Sequence, residues 1–156
     1  MRLFALKKCF PDAKFINVAR DPREVISSMI TRYEEEGTFD TGIFIKNKIK
    51  YDGLEFIEQF AWLYKEITDS IYEFSTKNKN NFLTVRYDEF ISNPNDNVKK
   101  IFEFVDLDIP DNISEFIPQL QDTSKKWKKN ISSDDEKKIF NILDNTMQKM
   151  NYPYSL

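Results

Sequence analysis

Apolar residues fall along this chain in two kinds of run. "KFINVA" at 14–19 and "FLTVRY" at 82–87 are short, nearly continuous and bounded by turn chemistry, the pattern of buried parallel strands. Between them, residues 54–75 place Ile57, Phe60, Ala61, Tyr64, Ile67, Ile71 and Phe74 three and four apart, which predicts a long amphipathic helix. The same period returns in "NPNDNVKKIFEFV", through Val98, Ile101, Phe102 and Val105. It returns again in "SSDDEKKIFNILDNTMQKM", through Ile139, Phe140, Leu143, Met147 and Met150, where a Ser/Asp-rich cap and an acidic first turn mark a helix start. "MRLFALKKCF" reads as a first helix, too short and too broken by lysines for a secretory signal. Stretches 34–50 and 106–131 are loop-rich, and there is no internal repeat or low-complexity linker.

Strands joined by helices predict an α/β layer fold, with two core parallel strands surrounded by helices. Two strands make a poor sheet, and a buried-type strand without a neighbour leaves backbone groups and apolar side chains along an edge. The pattern therefore suits part of a larger α/β domain, or a chain whose sheet is completed by a partner chain. A length of 156 residues with 14 Phe and 7 Tyr suits one domain rather than two.

Charge and composition narrow the chemistry. The net charge of −3 disfavours bulk nucleic-acid binding, so a basic site has to be local. The absence of histidine removes the commonest general base, and with one cysteine it makes a metal site improbable. One cysteine and no bilayer-length apolar stretch point to a soluble protein of a reducing compartment, the cytoplasm. Gly37, Gly42 and Gly53 belong to no glycine-rich phosphate loop.

Candidate chemistry sits in "KFINVARDPREVISSM", residues 14–29. Asp21 fits a helix cap, Pro22 the first helical position, and Glu24 the third residue of a capping box. Arg20 is left over at the carboxyl end of a strand, where ligands of open α/β sheets bind and where a helix N-terminus adds orphan amides. Ser28 lies about two helical turns further on and offers a hydroxyl to the same anion. Taken alone, Arg-Asp-Pro-Arg-Glu at 20–24 also fits a plain capped helix entrance with Arg20 paired to Asp21 or Glu24. The aromatics Phe56, Phe60, Trp62 and Tyr64 fit a core, an interface or an apolar acceptor site equally well.

The stretch "FPDAKFINVARDPREVISSM" resembles the 3'-phosphate-binding segment of sulfotransferases that use 3'-phosphoadenosine 5'-phosphosulfate (PAPS). In that family an arginine ends a strand and a serine eight positions later joins it on the 3'-phosphate, which implies this role for Arg20 and Ser28. "LTVRYDEFISNPNDNVKKIFEFVDL" resembles the family's strand, Tyr-Glu-Asp-Leu, Pro and helix, and places Tyr87 near the nucleotide. "SKKWKKNISSDDEKKIF" is similar to the basic loop of many bacterial members, with Lys125, Lys126 and Lys128 as candidates for the 3'-phosphate and Lys126 preferred. Read without the resemblance, that lysine run around Trp127 is a solvated basic turn or a weak single-stranded nucleic-acid patch.

The resemblance implies an incomplete P-loop-NTPase-like sulfotransferase fold in which residues 1–156 form the 3'-phosphate-binding and carboxyl-terminal part. The family's 5'-phosphosulfate loop would precede residue 1 and its strand would lie between the two kept here. Catalytic residues are unassigned, since the family's histidine has no counterpart. The implied reaction is metal-free transfer of a sulfuryl group from PAPS to a hydroxyl or amine acceptor, leaving 3',5'-ADP (PAP). A non-catalytic remnant or subunit that binds nucleotide or a partner chain is the alternative.

Overall fold

The computed structural model describes residues 2–36, 50–116, 126–150 and 152. They divide into two compact units, Met1–Arg20 with Glu73–Thr123 and Asp21–Tyr72 with Ser124–Leu156. Lys125 and most of the first loop-rich stretch lie outside the described residues.

The first unit holds helix α1 (Leu3–Cys9), strand β1 (Phe15–Ala19), the last turn of helix α3 (Phe56–Lys77) and strand β2 (Phe82–Arg86), followed by helices α4 (Tyr87–Ser92), α5 (Pro94–Val105) and α6 (Ile113–Phe116). β1 and β2 run parallel, from Phe15 opposite Phe82 to Ala19 opposite Arg86. Phe74 anchors this unit, fully buried under the edges of Phe4, Phe15 and Phe82 at ring distances of 5.2, 4.9 and 5.8 Å. Edge-to-face pairs of this kind contribute roughly 0.5–1.5 kcal/mol beyond the area they bury. α5 ends at Asp106, which takes the left-handed conformation at φ 57° and lets the Leu107 amide donate to the Phe102 carbonyl. Lys14, just before β1, donates to the Phe104 carbonyl at 2.6 Å and pairs with Asp106, placing a cation where the helix dipole favours one. Each strand is one residue shorter than the run that suggested it, and β1 is not buried on both faces as its apolar run implied: Ile16 and Val18 are 41% and 61% exposed. Among the described residues the two strands have a single hydrogen-bonded neighbour each, so an apolar run here does not guarantee cover on both faces.

The second unit is helical. α2 (Pro22–Glu36), α3 as far as Tyr72, a 3₁₀ turn at Lys126–Lys129 and α7 (Ser133–Lys149) bury Ile26, Phe60, Leu63, Ile139, Leu143 and Met147 almost completely. The expected faces of α3 and α7 thus supply the core, while Ile67, Ile71 and Phe140 are half-buried. α7 starts at a full capping box, in which the Asp135 amide donates to Ser132 Oγ at 3.1 Å and the Ser132 amide donates to Asp135 Oδ2 at 3.4 Å. Deeper along α7, the buried Thr146 hydroxyl accepts from Lys65 at 3.1 Å and donates to Asp69 at 3.2 Å, satisfying a polar group inside an apolar seam.

Candidate functional site

The strand register builds the first part of the site. Because Ala19 lies opposite Arg86 at the carboxyl ends of two parallel strands, the next residues, Arg20 and Tyr87, emerge side by side. The Arg20 guanidinium lies over the Tyr87 ring, 4.8 Å from its centroid. Both side chains are half-buried, so the ring face screens one side of the cation from water. Arg86 is engaged differently: it donates to Asp88 at 2.5 and 3.1 Å and holds that carboxyl below its usual range, against the opposing effect of partial burial. Tyr87 begins helix α4 instead of ending the strand.

The second unit begins at Asp21 and carries the other candidates. Asp21 caps α2 as the sequence suggests, its Oδ1 accepting from the Arg23 amide at 2.9 Å. The Arg23 side chain pairs with Asp21. Arg23 Nη2 donates to Asp21 Oδ2 at 2.7 Å, Nη1 donates to Glu136 Oε1 at 2.9 Å, and the guanidinium carbon lies over the Trp127 ring, 4.5 Å from its centroid. Burial acts against the Arg23 charge, but the bonds to Asp21 and Glu136 outweigh it and raise the guanidinium above its ordinary range.

Trp127 is 6% exposed and belongs to the basic turn Lys126–Lys129. That burial removes it as a stacking platform for a nucleic-acid base, while Lys126, Lys128 and Lys129 on either side face solvent. The turn is tied down a second time, since Asn130 Nδ2 donates to Ser27 Oγ and to Thr31 Oγ1, both at 3.3 Å on α2. Ser27 is therefore the buried, structural member of the Ser27–Ser28 pair, and Ser28 presents its hydroxyl on the exposed face. Of the residues singled out in the sequence, Arg20 and Tyr87 come together in the first unit, and Ser28 and Lys126 belong to the second. The reading of the sequence missed Arg23 and Glu136. The second arginine of R-D-P-R and the acidic first turn of α7 were visible, but their pairing depends on how α7 packs on α2.

Residues 1–111 match the sequence profile of the Sulfotransferase family, and the chain belongs to that family. No curated protein and no solved structure gives a significant match. Sulfotransferases in general take the sulfuryl group from PAPS and pass it to an acceptor. The α/β architecture with its two-stranded parallel sheet is that of an incomplete sulfotransferase fold. Among the described residues no helix is long and apolar enough to cross a membrane.

Proposed function

We propose that this chain binds PAPS through its 3'-phosphate and, in its complete form, transfers the sulfuryl group to a hydroxyl or amine acceptor. The family match supports the reaction class, and the observation that carries the binding reading is the Arg20 guanidinium seated on Tyr87 at the carboxyl end of β1. A guanidinium fork suits a phosphate dianion, because two parallel N–H donors meet two oxygens at once. In this reading Tyr87 orients Arg20 and borders the nucleotide, Ser28 donates its hydroxyl to the 3'-phosphate as the family motif implies, and Lys126 adds a charge from the basic turn. The donor brings the transferable sulfuryl group; the residues of this chain bind and orient its adenosine end. Residues 1–156 are the 3'-phosphate-binding and carboxyl-terminal part of the domain on this reading, and a partner chain is one way to complete the sheet.

Titration calorimetry with 3',5'-ADP tests the assignment. Arg20→Ala is expected to lose roughly 2–5 kcal/mol of binding free energy, the cost of leaving a phosphate without its desolvated partner. Tyr87→Phe keeps the ring and is expected to bind within a factor of about three of the parent, whereas Tyr87→Ala loses about tenfold, near the upper end for a cation–π contact. Unchanged affinity in Arg20→Ala refutes the assignment. A sulfuryl-transfer assay with and without an upstream polypeptide separates an enzyme from a nucleotide-binding remnant.

A further inference from the structure

Four cations are drawn together within the second unit. Arg23 is near the start of α2, and Lys126, Lys128 and Lys129 are on the turn whose tryptophan Arg23 covers. Lys128 Nζ also lies 5.7 Å from the Trp127 centroid. Like charges this close repel, so an isolated basic turn gains nothing by docking on an arginine. Asp21 and Glu136 remove the difficulty. Arg23 is 2.7 Å from the first and 2.9 Å from the second, so the guanidinium arrives with two carboxylates and its flat face stays available for the indole. The backbone then follows the side chain, because the Trp127 carbonyl accepts from the Asn130 and Ile131 amides at 2.9 and 3.0 Å and closes the turn.

We infer that Arg23 is a positioning residue for donor binding: by gripping Asp21, Glu136 and the Trp127 face together, it holds the basic turn Lys126–Lys129 against α2 in the conformation that presents Lys126. The inference rests on the donor-binding reading given to Lys126 above. Arg23 itself directs Nε, Nη1 and Nη2 at carboxylates, so its action on the anion runs through the turn. Lysine cannot replace it, since a point charge on a flexible stem does not form a fork to two carboxylates and lie flat on a ring at once.

The test uses Trp62→Phe protein, which leaves Trp127 as the single tryptophan. In Arg23→Met, acrylamide quenching of Trp127 fluorescence is expected to rise severalfold while helical circular dichroism is retained, with Arg23→Lys falling between. Affinity for 3',5'-ADP is expected to drop about tenfold in Arg23→Met, in keeping with the loss of a charge-assisted grip on the turn. Adding Lys126→Ala to that variant should produce almost no further loss, because the lysine is already displaced. Trp127 staying as protected as in the parent overturns the inference, and so does full additivity of the two affinity losses. If Arg23→Met does not fold, Arg23→Lys carries the same quenching comparison. If Lys126→Ala alone leaves the affinity unchanged, the donor role of the turn fails instead, and the quenching result still decides whether Arg23 holds it.

Discussion

The two units differ in how far they cover their apolar side chains. In the second, Ile26, Phe60, Ile139 and Leu143 have no exposed surface, and three helices close around them. In the first, Phe74 is sealed by aromatic edges, yet Phe10, Val18 and Leu107 are each more than half exposed. Helices α2 and α7, of 15 and 17 residues, and α3 as far as Tyr72 give the second unit long continuous stripes to bury. Among the described residues of the first unit, two five-residue strands offer little area and one paired edge apiece. The lesson is that hydrophobicity concentrated in a strand is a demand for cover, and whether the demand is met depends on the number of layers around it.

The sharpest way to break this comparison is a cavity in the second unit. Leu143→Ala is expected to destabilise the protein by about 2–5 kcal/mol, since the site is enclosed and collapses poorly; chemical denaturation followed by circular dichroism reads it. Should the loss stay below about 1 kcal/mol, the core is looser than its burial implies. A smaller effect is expected from alkali. Burial pushes the Tyr64 phenol up to about 12, helped by the Asp21 charge and opposed by its hydrogen bond with Thr68. The unfolded chain ionises near the ordinary tyrosine value of about 10, so above that pH it releases protons that the folded chain keeps. Stability from this group is intact below about pH 10 and falls as pH rises, by about 1 kcal/mol between pH 10 and 11. Comparing melting curves of Tyr64→Phe and the parent across that window should show the slope flattened in the variant.

Capping gives an effect of similar size by another route. Ser132→Ala removes the acceptor of the Asp135 amide and is expected to lower stability by about 1 kcal/mol, with Ser132→Gly costing only a few tenths. The smallest effect belongs to the first unit. Val18→Thr, a change of similar volume on an exposed strand position, is expected to alter stability by less than about 0.5 kcal/mol. A loss approaching that of Leu143→Ala, measured in the same denaturant series, means that Val18 is covered in solution and that the contrast between the units is wrong.

Much of this was legible along the chain. The strands lie within a residue of the runs that suggested them, and Asp21 caps α2 through its own side chain. The α3 and α7 cores carry Ile57, Phe60, Tyr64, Ile139, Leu143 and Met147 from the expected faces. The first two motif segments lie within residues 1–111, which match the family they pointed to. Ser28, by contrast, was distinguished from Ser27 by spacing alone, and it took the Asn130 bond to show which serine is structural.

What the sequence determined by itself are properties set within a few residues: the period of each element, the caps, the missing histidines and glycine loop, and the order of the family segments. Those follow from local sterics and from side chains that meet at spacings of three and four, so a single strand of text contains them. The tertiary structure alone decided that Arg20 lies over Tyr87, that Arg23 lies over Trp127, and that Val18 faces outward. Each depends on strand register or on helix packing between segments far apart in the chain, and neither is a function of any local pattern.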